Sequence, residues 1–292
     1  MIQNKKLYEL KKNLLNNLPK ESNFQYSLPC DYHGVKINFM TNNNSFALAL
    51  KEYLPTTWLD SSGGTKIFIK SPDSLGISNE EFNQEESQDC FIEQDIVIQR
   101  DFAAKKIDNN SYHLITEESI SDGLFNFLRW YLPLRMIEQQ KVILHSSCIL
   151  DAKGDAHFFL GHSGAGKTTT TEMSKGKVIL GDDMNVLSLS STGLSAQAGA
   201  IGGIFKPEVS LDKSFKIASF NWIIQSSTNS RIKLPISDAR TKLMASVSNI
   251  FWDQINDDQL NFIIKIVDCA LREIPMYELK LKKDPSFWEL IK

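Results

Sequence analysis

Residues 161–168 read Gly-His-Ser-Gly-Ala-Gly-Lys-Thr, a full match to the pattern G-x-x-x-x-G-K-[ST]. By chance such a match arises in about one chain in a hundred of this size. The apolar run Ala156–Leu160 precedes it, and Thr168–Met173 is suited to open a helix after it. A strand, a glycine-rich turn and a helix N-terminus in that order direct backbone N–H groups at phosphate oxygens. Gly161, Gly164 and Gly166 permit the tight turn, while His162, Ser163 and Ala165 fill the positions between. Lys167 is placed to reach the β/γ-phosphates, Thr168 to offer a hydroxyl to Mg²⁺, and Thr169 to extend the phosphate-binding backbone. We read Lys167 as a solvent-exposed side chain whose loss leaves the fold intact.

Fourteen residues after Thr168, the run Lys177–Leu180 ends in Gly181-Asp182-Asp183. The spacing demands a short helix after the loop and an immediate return to the sheet. Both carboxylates are expected at the carboxyl end of a strand, where open α/β sheets place ligands. One carboxylate is suited to hold Mg²⁺ and the other to accept a proton from an attacking hydroxyl. The residues alone do not divide these roles. His145 lies on the strand Val142–Leu150, and a hairpin through Asp151–Asp155 would bring it to the loop end of the sheet. His162 is read as a minor contact, and His33, His113 and His157 carry no signal. Arg231 and Arg240 are the arginines past the loop that could neutralise transition-state charge.

Composition excludes other classes. The 292 residues are 42% hydrophobic and 23% charged, with a formal net charge of -3, so no broad basic field points to nucleic acid. Cys30, Cys90, Cys148 and Cys269 form no C-x-x-C pair, which argues against a zinc knuckle or a disulfide framework. No apolar h-region opens the chain and no 18-residue apolar run occurs, so a cytoplasmic protein without a membrane segment is expected.

The chain divides, on this reading, near 117. Residues 1–117 carry a Leu-striped helix over 4–18 with lysines opposite, ended by Pro19. Strands are expected at His33–Met40, Thr65–Lys70, Phe91–Arg100, Ala103–Ile107 and Tyr112–Thr116, with a helix over Ser45–Tyr53 ended by Leu54-Pro55. Residues 78–89 read as an exposed acidic loop. This α+β domain, with Tyr26, Phe39, Tyr53, Trp58, Phe68 and Phe91, is a candidate for acceptor recognition through a sheet edge. Residues 118–292 read as the nucleotide-binding domain. It opens with a helix capped by Ser121 or Asp122 and kinked at Pro133, and closes with a helix Asp257–Arg272, a strand Met276–Leu281 and a short helix Pro285–Ile291.

The order L-H-S-S, G-H-S-G-A-G-K-T, L-G-D-D resembles the HPr kinase/phosphorylase-related kinases, strongly over 141–187. The stretch S-G-A-G-K-T-T with L-G-D-D also resembles the ATP-dependent phosphoenolpyruvate carboxykinases, which share the fold. The resemblance implies an α/β catalytic domain with a mixed sheet, beside the smaller N-terminal α+β domain. It implies that Gly161–Thr168 bind ATP phosphates, and that Thr168 and one of Asp182 and Asp183 bind Mg²⁺. The other aspartate, assisted by His145, is then the general base. The Arg-Gly-rich segment that follows the Asp pair in HPr kinases is replaced here by 198–207, AGAIGGIFKP.

These readings converge on an ATP- and Mg²⁺-dependent kinase acting on a hydroxyl of a peptide, a protein or a small metabolite. A homo-oligomer is left open. The alternatives are a nucleotide-binding regulatory module without transfer and a phosphorylase- or carboxykinase-like enzyme.

Overall fold

The computed structural model describes residues 2–19, 23–53, 63–83, 90–199, 201–203, 205–207, 209–248 and 255–291. Leu54-Pro55, Trp58 and the acidic stretch 84–89 lie outside these residues. The chain forms two compact units, Met1–Trp130 and Tyr131–Lys292. Among the described residues no helix is long and apolar enough to cross a membrane.

The first unit is built on a seven-stranded mixed sheet. In chain order its elements are α1 (Ile2–Asn17), β1 (Tyr26–Tyr32), β2 (Val35–Thr41), α2 (Asn44–Tyr53), β3 (Thr65–Lys70), α3 (Asn79–Phe82), β4 (Phe91–Glu93), β5 (Ile96–Ile98), β6 (Phe102–Asp108) and β7 (Ser111–Thr116). The strand order is β1-β2-β3-β7-β6-β5-β4, with β2, β3 and β7 parallel and the rest antiparallel. The expected strand at His33 begins in a turn instead. His33 and Gly34, at φ 53° and 97°, join β1 to β2 in a tight hairpin.

Two expectations fail for packing reasons. The acidic stretch is not wholly loop: α3 forms because Ser78 caps it and Phe82 is fully buried with Leu15, Ile98 and Ile115. Nor do the lysines of α1 all face solvent. Lys11 is fully buried, its ammonium donating to the carbonyls of Gln99 and Arg100 at 2.9 and 2.8 Å. Phe39, an aromatic considered for recognition, is a core residue.

The second unit opens within α4 (Asp122–Glu138), which runs through Pro133. It continues with β8 (Lys141–Leu150), β9 (Ala156–Leu160), α5 (Lys167–Glu172), β10 (Ile179–Gly181), β11 (Met184–Ser190), β12 (Gly193–Gln197), β13 (Ile217–Gln225), β14 (Ser230–Lys233), α6 (Ile236–Ala245), α7 (Asp257–Glu273) and β15 (Met276–Leu281). The sheet order is β12-β11-β8-β9-β13-β15-β14, with β10 paired to β8 as well. Strands β9, β13 and β15 are parallel, and β8 is antiparallel to β9, so the sheet is mixed. Strand β9 is buried throughout, which suits its unbroken apolar run. Ile149, Phe159, Ile223, Leu279, Leu281 and Phe287 form a core on one face. On α7, a capping box at Asn256 and Gln259 starts the helix, and Phe262, Ile263, Ile266 and Ala270 bury its apolar stripe.

Candidate functional site

The loop 161–166 leaves the end of β9 and enters α5. Gly164 and Gly166 take φ of 76° and 114°, conformations in which a side chain would strain the backbone. The helix that follows has six residues, as short as the spacing to the Asp pair requires. Thr170 and Thr171 turn their hydroxyls back on the carbonyls of Gly166 and Lys167, at 2.8 and 3.2 Å. Thr168 is exposed at the loop mouth, Thr169 is half-buried, and His162 and Ser163 are exposed. Ala165 packs against the core.

Lys167 corrects one expectation: it is 7% exposed. Its ammonium donates to the carbonyls of Gly161 and His162 at 2.9 and 3.1 Å, closing the loop on itself. Burial pushes its pKa below the ordinary lysine value, and the negative charge of Asp183 opposes that shift. A cation kept in a partly desolvated loop is poised to prefer an anion over its present carbonyl partners.

Asp182 and Asp183 stand in the link between β10 and β11. They follow the carboxyl end of β10, which is antiparallel to β8 and so runs in the same direction as β9, the strand that leads into the loop. The hairpin from β8 to β9 pairs Ser146 with Leu160, which puts His145 beside the start of the loop. Met184 pairs with His145, and the Ser146 N–H donates to the Asp183 carbonyl at 2.9 Å. The His145 Nε2 lies 3.2 Å from Asp183 Oδ1, with the imidazole 42% exposed and the carboxylate 19%. Asp182 is 3% exposed and accepts the Phe205 N–H at 3.2 Å on Oδ1. Gly203 lies against it: a Cβ there would fall 2.0 Å from Asp182 Oδ1.

Several contributors carry no mark in the sequence. Asn185 is fully buried, and its amide donates to the Ser146 carbonyl at 2.6 Å and the Gly181 carbonyl at 3.2 Å. It thereby ties the strand bearing His145 to the turn bearing the aspartates. Gln225 holds the loop tip, donating to the Gly164 carbonyl at 2.7 Å. Trp222 pairs with Leu160 across the sheet and meets the His162 ring edge-on at 5.0 Å. The glycines of 198–207 were the one available signal, since a segment that must pass close to Asp182 needs residues without side chains.

The arginines are occupied elsewhere. Arg231 donates to Asn221 Oδ1 at 2.9 Å and to the Leu290 carbonyl, and stacks on Tyr277 at 3.6 Å. Arg240 pairs with Asp268 at 2.7 Å.

The donor set fits a hard divalent cation. Among the described residues no cluster of three His, Cys, Asp or Glu side chains could hold a metal alone. A hydroxyl at Thr168 and the carboxylates of Asp182 and Asp183 match the habit of Mg²⁺, which takes few protein oxygens and completes its shell with phosphate and water.

A phosphoenolpyruvate carboxykinase (ATP) from Campylobacter jejuni subsp. doylei is 41% identical over 61 residues, which is 21% of this chain and 11% of the relative. The aligned stretch is therefore about a tenth of that relative's length. The family model described as phosphoenolpyruvate carboxykinase matches residues 4–211, and so takes in the N-terminal unit as well as the loop and the Asp pair. With most of its length matched, the chain belongs to the ATP-type phosphoenolpyruvate carboxykinase family, whose members use ATP and a divalent metal ion.

Proposed function

We propose that this protein is an ATP- and Mg²⁺-dependent phosphotransferase that passes the γ-phosphoryl group to an oxygen acceptor. The loop 161–168 holds the nucleotide phosphates, and Lys167 gives up its two carbonyl partners to meet them. Thr168 with Asp182 would hold the metal, which would neutralise charge on the nucleotide phosphates. His145 and Asp183 act as one unit: the carboxylate orients the imidazole, and the pair takes the acceptor proton. In the transfer, the bond from the γ-phosphorus to the β–γ bridging oxygen breaks. A bond to the acceptor oxygen forms, and the acceptor's proton passes to the His145–Asp183 pair.

The observation that carries this reading is the 3.2 Å contact of His145 with Asp183 beside a closed phosphate loop. A base of this kind suits a hydroxyl, on a peptide, a protein or a small metabolite, and resembles the arrangement in HPr kinase-related kinases. The family match favours a second reading, carboxykinase-like chemistry with phosphoenolpyruvate on one side of the transfer. The N-terminal unit, in either case, is a candidate for acceptor selection.

The test is labelled ATP with Mg²⁺ offered to hydroxyl amino acids, serine peptides and alcohols, and separately to phosphoenolpyruvate with ADP. Transfer to a hydroxyl supports the first reading, and turnover only with phosphoenolpyruvate supports the second. No affinity for ATP·Mg in calorimetry would sink both.

A further inference from the structure

In phosphoryl transfer negative charge is spread over the oxygens of the moving group, and an added cation beyond the loop lysine stabilises it. The arginines expected in that role are engaged in structural contacts, Arg231 with Asn221, Leu290 and Tyr277, and Arg240 with Asp268. Two residues beyond Arg240, on the same helix α6, stands Lys242. Positions two apart on a helix point about 200° from each other. Arg240 faces α7, and Lys242 accordingly faces the sheet. Its ammonium lies 4.6 Å from the centroid of the Trp222 ring. That ring is also the one that His162 of the phosphate loop meets edge-on.

The rest of the helix fixes where this cation stands. Ser246, one turn on, bonds back to the Lys242 carbonyl at 2.9 Å, and its own carbonyl accepts the His145 N–H at 2.8 Å. Val247 then bridges to Leu144. Lys242 is thus flanked on one side by the loop, through Trp222 and His162, and on the other by the strand that carries His145. Among the described residues no carboxylate pairs with it; an aromatic face, a weak partner, holds it. A four-carbon stem lets an ammonium move several ångströms from such a perch.

We propose that Lys242 is a further catalytic residue, which leaves the Trp222 face to contact a γ-phosphoryl oxygen as the group moves from ATP to the acceptor. This rests on the phosphotransferase reading above. It assigns to a lysine, on a helix next to the site, the charge that the arginines do not supply.

The experiment compares ADP·Mg with ADP·Mg plus aluminium fluoride, a mimic of the moving phosphoryl group, by calorimetry on the full chain. The wild type is expected to bind the mimic complex far more tightly than ADP·Mg. Lys242→Met should leave ADP·Mg affinity within about threefold and weaken the mimic complex by about 10²-fold or more, the usual loss for one transition-state donor. Lys242→Arg, which keeps the positive charge, should recover part of the loss. If Lys242→Met lowers the melting temperature, Lys242→Gln replaces it in the same comparison. Equal binding of the mimic by wild type and Lys242→Met, with ADP·Mg bound normally, overturns this proposal alone. Failure of the wild type to bind ADP·Mg overturns the phosphotransferase reading and this proposal with it.

Discussion

Truncating Asn185 to alanine is the most direct test of how the two halves of the site are held together. The amide supplies hydrogen bonds to the carbonyls of Ser146 and Gly181 in a place with no solvent access. A buried acceptor left unsatisfied costs about 1–3 kcal/mol. Two are at stake, though carbonyls with a second lone pair in use tolerate the loss better than N–H groups do. Against this, Asn185 Oδ1 has no donor among the described residues, so its removal returns part of the cost. The balance is a loss of about 2–4 kcal/mol. For a unit of this size each kcal/mol shifts the melting temperature by about 2–4 °C, so the variant should melt roughly 5–15 °C lower. Because the chain has two compact units, the transition to follow is the one that ATP·Mg raises. Turnover should fall with it. The Asn185→Ala and Asp183→Asn losses should be non-additive, because Asn185 acts through the turn that Asp183 occupies. A stability loss below about 1 kcal/mol, or strict additivity in the double variant, would refute the clamp.

Lys167→Met should abolish measurable ATP·Mg affinity while the apo protein melts within a few degrees of wild type, because burial already disfavours the charged lysine there; a collapsed fold by circular dichroism would overturn this. Gly203→Ala should raise the Mg²⁺ concentration needed for half-maximal activity at least several-fold, since the added Cβ displaces the Asp182 carboxylate from its place; unchanged metal dependence would show that Asp182 is not held there for a metal. His157, buried between Ser219 at 2.8 Å and Asp151 at 3.4 Å, has its pKa pushed below the ordinary value chiefly by burial. The unfolded chain therefore takes up the proton first, so stability is fully present above about pH 6.5 and is lost as the pH falls below it. Urea midpoints measured between pH 5 and 8 should show this slope for wild type and a flatter one for His157→Gln.

The elements that the sequence revealed are those whose physics is local. Strand β9 is an unbroken apolar run, α7 has a cap and an apolar stripe, and β6 and β7 flank a turn at Asp108-Asn109-Asn110, so each reads directly. Strand β1 does not, because Pro29 sits inside it. The structure explains the exception: β1 is the edge of its sheet, where a residue without an N–H donor is tolerated. The α3 turn was hidden by its acidic neighbours, since a single buried Phe82 sets its place and composition does not report one anchor. The pattern sets Lys11 opposite the Leu stripe and Lys167 in an open loop, yet both are buried. Each is buried because its ammonium meets two backbone carbonyls, and pairing a lysine with carbonyls leaves no trace in the spacing of residues.

The site divides along the same line. Its phosphate loop and Asp pair lie within 23 residues of sequence, and the gap between them fixes a six-residue helix, so spacing alone carries the geometry. The wall opposite comes from residues 222–246, which reach the loop only because β13 returns parallel to β9 after an excursion through β10, β11 and β12. Nothing in a parallel pairing marks its register in the sequence, and a shift of one residue would turn Trp222 from the loop and Gln225 from Gly164. The consequence is chemical as well as geometric. On the proposed reading, the contiguous half would supply phosphate grip, metal oxygens and the carboxylate of the proton acceptor. The returning half supplies the ring that seats His162 and the lysine above it, so the cation proposed to meet the transferring group depends on a register that only the folded sheet defines.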